Sequence, residues 1–323
     1  MTSLKEYRKV LINNYSLFEA EIKKTLVGVL VENEVAQHVL KMIEYNIKDG
    51  KMIRSSMFCK FYVFIAQTDL ENETIVLAWC IELLQAFFLI ADDIMDSSDV
   101  RRGKPAWHKV VGAIAINDAF MLNTLIQTTM IKLFHMEQAS RLLSVFNEVI
   151  LKTQFGQYLD MFSCKKMDKF TLDQVALISD YKTAEYTFVL PLRLALCMSD
   201  LNESDTLISP VRIMGRLFQI HDDFLDISYS QSGKSPSDIE EGKCTWPLIL
   251  ALSCSVDPTG LFESYLSGDR EAVLKVYQEK NIQESFLRCV NSYNDKVKHQ
   301  FRAIPEERLR NLLNEIYDEI FAK

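Results

Sequence analysis

Apolar residues recur at three- and four-residue spacing in a series of blocks: 30–47, 51–67, 74–97, 109–135, 138–162, 170–199, 205–229, 243–254, 283–302 and 305–321. That repeat lays an apolar stripe along one face of an α-helix, so the pattern predicts an all-α chain. Polar stretches divide the blocks at 67–73 (QTDLENE), 98–106 (SDVRRGKPA), 200–205 (DLNESD), 230–237 (SQSGKSPS) and 255–260 (SVDPTG). None is long or biased enough to link domains, so a single domain over 1–323 is expected. Two blocks lack a polar face. WCIELLQAFFLIADDIMD (79–96) and MGRLFQIHDDFLD (214–226) are apolar on nearly every side until their acids begin, which places them among other helices.

Composition supports this reading: ten glycines and seven prolines in 323 residues leave long stretches without a helix breaker. The net charge of −8 excludes a nucleic-acid footprint, which needs a basic face. An acidic protein must meet any polyanionic ligand locally, through metal ions and a few placed cations. Cys59, Cys80, Cys164, Cys197, Cys244, Cys254 and Cys289 form no CxxC pair and read as reduced core thiols. The start, MTSLKEYRKV, is too polar for a secretory leader, and no 18-residue apolar run stands out, so a cytoplasmic protein without a membrane span is expected.

The candidate chemistry lies in the acids that end the two apolar blocks. Asp92 and Asp96 of DDIMD are four apart and share a helix face, with Asp93 beside them, and DDFLD repeats the spacing at Asp222, Asp223 and Asp226. One such cluster is most often a solvated helix end. Two, 130 positions apart and each closing a buried helix, are costly unless cations offset the repulsion. Hard carboxylate oxygens suit Mg2+, which takes one or two carboxylates and completes its shell with water and phosphate oxygens. Such ions can hold a diphosphate and neutralise it as a leaving group, with the apolar surroundings receiving a carbocation.

LLQAFFLIADDIMDSSDVRRG (83–103), FGQYLD (155–160), YKTAEYTFVLP (181–191), FQIHDDFLD (218–226) and GKSPSDIEEGKCTW (233–246) stand in the order and spacing of the trans-isoprenyl diphosphate synthases, which the chain resembles over nearly its whole length. The resemblance implies the isoprenoid synthase (class I terpenoid synthase) fold, a helical bundle around a central cavity, a homodimer, an allylic diphosphate substrate and three Mg2+ ions. It implies Asp92, Asp96 and Asp222 as metal ligands, with Asp93, Asp223 and Asp226 in support. Arg101, Lys182, Lys234 and Lys243 would meet the allylic diphosphate, and Thr183 and Gln219 would line the cavity where charge develops. Lys51, Arg54, Gln85 and Arg102 match the site for a second substrate, isopentenyl diphosphate. Phe87 and Phe88 match cavity-floor positions of synthases that make fifteen-carbon products.

Departures from the family pattern gather on the isopentenyl side. GGKxNRG reads DGKMIRS (49–55), with Asp49, Ile53 and Ser55 as replacements. Glu185 replaces a phenylalanine, Pro236, Ser237 and Asp238 stand for GTD, and Asp318 and Glu319 lie where the family has a basic tail. A charge reversal beside a diphosphate costs on the order of 1 kcal/mol or more. The expectation is therefore a sesquiterpene synthase that ionises farnesyl diphosphate without an acceptor, of the kind derived from farnesyl diphosphate synthases in insects. The alternative is a farnesyl or geranyl diphosphate synthase that condenses isopentenyl diphosphate with an allylic partner. A non-catalytic modulatory subunit of a prenyltransferase is the remaining reading.

Overall fold

A computed structural model describes residues 2–29, 33–227 and 237–321. Helices dominate it, as the apolar repeat requires, and among the described residues the sole sheet is a hairpin of Val100–Arg101 against Lys104–Pro105. The N-terminal region, which shows no clean repeat, folds as helices Leu4–Asn13 and Tyr15–Val27. The first is opened by a capping box in which Ser3 and Glu6 each satisfy the other's backbone N–H. Helices Pro258–Leu266 and Arg270–Glu279 also lie outside the expected blocks. Each is only one or two apolar repeats long, and each is started by an aspartate, Asp257 or Asp269, accepting from a backbone N–H.

The block 170–199 is one apolar run but three structures: an α-helix Leu172–Ile178, a π-helix Ser179–Val189 and an α-helix Leu190–Met198. A π stretch of this length is uncommon and tends to mark functional positions.

The chain divides into two compact units, Met1–Asn147 with Leu190–Glu203 and Glu315–Lys323, and Glu148–Val189 with Ser204–Asn314. The cuts at 147/148 and 314/315 fall inside the helices Met136–Ser163 and Glu307–Phe321, not in linkers. In the first unit helix Asn72–Met95 packs on helix Ile114–Leu133, and helix Ile53–Ala66 on helix Leu190–Met198. Trp79, 1% exposed, anchors this core: Tyr15 meets its ring edge-on at 5.2 Å and Phe18 stacks on it at 5.5 Å. In the second unit helix Asp205–Ile227 packs on the π stretch and on helix Ile282–Arg302. Phe224 stacks on Phe286 at 3.9 Å in a core that includes Trp246, Phe262 and Tyr265.

Helix Asn72–Met95 corrects one expectation. It holds an 18-residue window apolar enough to cross a membrane by composition, but 78% of that window is buried within the protein. Its apolarity therefore belongs to a core helix surrounded by others.

Candidate active site

DDIMD closes helix Asn72–Met95, with Asp96 as its C-cap. Acids there oppose the negative end of the helix dipole as well as one another. A cation offsets this: Arg101 of the hairpin donates through Nε to Asp93 Oδ1 at 2.9 Å and through Nη2 to Asp93 Oδ1 at 2.5 Å and Asp92 Oδ2 at 3.4 Å. Asp93 is 2% exposed and is engaged from within the protein, while Asp92 and Asp96 are half-buried, one turn apart on the same face. Phe87, buried, and Phe88, half-buried, lie about one turn earlier on the same helix with ring centroids 4.9 Å apart.

The hairpin turns at Arg102 (φ 54°) and Gly103 (φ 73°), both left-handed, as a two-residue turn between antiparallel strands requires. Arg102 Nη1 donates to the Asn46 carbonyl at 2.8 Å. Lys104 hydrogen-bonds the Asp49 carboxylate and holds its carboxyl below the usual range, with Arg102 and Lys48 adding their charge. Arg8 Nε donates to the Gly50 carbonyl at 3.2 Å. These contacts surround the segment that leads into Lys51, which is exposed, and Arg54, which is buried. Ser55, where the family has glycine, donates to Glu82 Oε1 at 2.7 Å, and Gln85 is half-buried one turn along the same helix. All four residues matched to the isopentenyl site thus fall in the first unit.

In the second unit Asp222 is exposed while Asp223 is buried. Gln219 Nε2 donates to Asp223 Oδ1 at 2.8 Å and the Trp246 N–H to Oδ2 at 2.9 Å. Burial nonetheless pushes the Asp223 carboxyl up to about 7 against these two bonds. Thr183 donates its hydroxyl to Gln219 Oε1, so Thr183, Gln219 and Asp223 form one chain of hydrogen bonds. Asp226 accepts from the N–H groups of Ser237 at 3.1 Å and Asp238 at 3.3 Å and so ties those two residues to the end of its own helix. Lys243 pairs with Glu241 at 2.6 Å, and Lys182 donates to Asp160 at 2.6 Å. Lys234 and Pro236 lie outside the described residues. Asp160 and the Trp246 N–H were not singled out from sequence; the acid of FGQYLD was the available signal for the first.

The side chains fit magnesium chemistry. Asp93, Asp223 and Asp226 accept hydrogen bonds that shape each cluster; Asp93 and Asp223 are buried, Asp92, Asp96 and Asp226 are half-buried and Asp222 is exposed. Among the described residues no three acidic, His or Cys side chains converge as a closed cage. Mg2+ does not need one, since substrate oxygens and water complete its shell.

Three of the acids that favoured a terpene synthase, Asp49, Glu185 and Glu319, do not act as lone charges. Asp49 is taken up by Lys104. Glu185 accepts from Arg212 Nε at 3.1 Å and Nη2 at 2.7 Å. Glu319 accepts from the Leu4 N–H at 2.6 Å and from Lys60 at 2.5 Å. A carboxylate already neutralised repels a diphosphate far less than its sequence position suggests.

A family model described as polyprenyl synthetase matches residues 36–281, well over half of the chain. "Farnesyl pyrophosphate synthase 2" of Arabidopsis thaliana is 37% identical over 88% of this chain and 91% of its own length. "Farnesyl pyrophosphate synthase" of Saccharomyces cerevisiae is 31% identical over 98% and 99%. A crystal structure of farnesyl diphosphate synthase from T. brucei with a bisphosphonate superimposes with a TM-score of 0.90 over 98% of this chain and 99% of that one, at 24% identity, and shows the same all-α fold. These full-length relatives are named for making farnesyl pyrophosphate, not for consuming it, and they overturn the expectation of a sesquiterpene synthase. The chain is an enzyme of the polyprenyl synthetase family.

Proposed function

We propose that this protein is a prenyltransferase that condenses isopentenyl diphosphate with an allylic diphosphate to make farnesyl diphosphate. What carries the reading is the name shared by relatives 31–37% identical over most of the chain. Two observations support it: Lys51, Arg54, Gln85 and Arg102 all fall within the first unit, and Asp49 is paired with Lys104.

In this reading Asp92, Asp96 and Asp222 would hold Mg2+, whose positive charge would stabilise the departing diphosphate. Lys182 and Lys243 hold its oxygens as the allylic carbon–oxygen bond breaks and the electron pair leaves with it. Thr183 and Gln219, tied to Asp223, present fixed dipoles that need no reorganisation as charge develops. Lys51, Arg54 and Arg102 orient the isopentenyl diphosphate. Its double bond supplies the electrons for the new carbon–carbon bond, and a proton is lost from the adjacent carbon to a diphosphate oxygen. Purified protein given Mg2+, geranyl diphosphate and isopentenyl diphosphate should consume both and form a fifteen-carbon diphosphate, read by chromatography of the dephosphorylated product. Release of terpenes from farnesyl diphosphate, with isopentenyl diphosphate left untouched, would sink the proposal.

We also propose that the chain pairs with a second copy. Leu151, Phe155, Tyr158 and Phe162 recur along one face of helix Met136–Ser163 and are 51, 54, 64 and 41% exposed. A run of large apolar side chains like this is more than a monomer ordinarily leaves to water. Sedimentation of the purified chain should give a dimer, and Phe155→Glu with Tyr158→Glu should give a monomer.

A further inference from the structure

Arg212 and Arg216 are four apart on helix Asp205–Ile227, so they project from one face about one turn apart. Their partners are Glu185 and Asp180, five apart on the π stretch Ser179–Val189. Arg212 reaches Glu185 Oε1 at 2.7 Å, and Arg216 grips both carboxylate oxygens of Asp180, Nε to Oδ1 at 2.5 Å and Nη2 to Oδ2 at 2.6 Å. In an α-helix residues five apart lie about 140° apart around the axis. That would turn them to different sides of the helix. A helix closed by i→i+5 bonds brings them onto one face instead.

We infer that the pairs Arg212–Glu185 and Arg216–Asp180 lock residues 179–189 in the π register and thereby position Lys182 and Thr183 for the allylic diphosphate. Both functional residues lie between the two acids, and each reaches its own partner, Asp160 or Gln219, from the π backbone. Glu185 is 2% exposed, with Lys152 of helix Met136–Ser163 also 3.6 Å from its carboxylate, so it draws on two helices at once. The family pattern has phenylalanine at 185, so this half of the lock departs from it. The four residues act through Lys182 and Thr183 and are positioning residues, not catalytic ones. The inference rests on the proposed role of those two groups at the allylic diphosphate.

The test is steady-state kinetics of the full chain with Mg2+ for Glu185→Gln, Arg216→Gln and the milder Arg212→Lys. The first two should raise KM for the allylic diphosphate about tenfold and the third about threefold, because small displacements of a binding group are costly. KM for isopentenyl diphosphate should stay within about twofold, since its matched residues lie in the other unit. A purely structural role would lower thermal stability without splitting the two KM values. Folded variants with an unchanged allylic KM, or with both KM values moved equally, overturn the inference. So does a crystal structure of any variant with raised allylic KM in which 179–189 keeps its π register. If Glu185→Gln does not fold, Arg212→Lys decides by the same split. If the parent protein leaves isopentenyl diphosphate unconsumed, the prenyltransferase reading fails. The lock is then read from diphosphate release by the allylic substrate alone, with the same tenfold expectation.

Discussion

If Asp92 holds Mg2+ as proposed, Asp92→Ala should lower the rate of product formation by about a thousandfold or more while the protein stays folded, since losing such a ligand forfeits several kcal/mol of leaving-group stabilisation. Asp92 is half-buried at a helix end, and Arg101 keeps its stronger contact with Asp93, so the local fold has little reason to change. Asp222→Ala should act alike from the exposed position on the other cluster. The double variant should fall little further than either single one, because residues serving one step act as a unit. Initial rates across a Mg2+ titration check this. The parent should saturate, and each variant should need more metal and reach a lower plateau. Full activity in the double variant would show that the metal is held elsewhere.

Gly156→Ala sets helix propensity against packing. Alanine in a helix interior is normally favoured over glycine by about 1 kcal/mol. At Gly156 a Cβ would sit 2.1 Å from the Lys182 backbone nitrogen and 2.6 Å from its Cα. Backbone cannot swing aside as a side-chain tip can, so overpacking of about 3 kcal/mol or more should prevail. The expected result is a drop in melting temperature on the order of 5 °C or more, with a loss of activity, because the atoms pushed are those of Lys182. A gain in stability would mean that the π stretch and helix Met136–Ser163 are less closely apposed. Gly215 of helix Asp205–Ile227 makes a corresponding approach to Ala184, at 2.2 Å between the added Cβ and that of Ala184.

Much of the fold was legible because the apolar repeat is strong where helices are long, as over 72–95 and 205–227. The short N-terminal helices escaped because capping by Ser3 and docking of Tyr15 and Phe18 on Trp79 hold them, neither of which leaves a long repeat. The π stretch was invisible for a different reason. Its apolar pattern continues that of its α-helical neighbours, and its register is set by arginines on a separate helix. The aspartate clusters stood out because three acids closing a buried helix repel one another and are costly without cations nearby. Asp49 and Glu185 were misread because their neutralising partners, Lys104 and Arg212, lie 55 and 27 positions away. A charge read along a chain has a sign; its field depends on what the fold brings beside it.

The Glu185–Arg212 pair also constrains how such a sequence can arise. The Arg212 side chain is 32% exposed and that of Glu185 only 3%. An arginine placed first would rest in water beside an apolar residue 185 at little cost. A glutamate placed first would be a buried charge without its main partner, a state disfavoured by about 3–5 kcal/mol. If both positions change, the easy order places the half-buried cation before the buried acid, and the easy order back removes them in reverse.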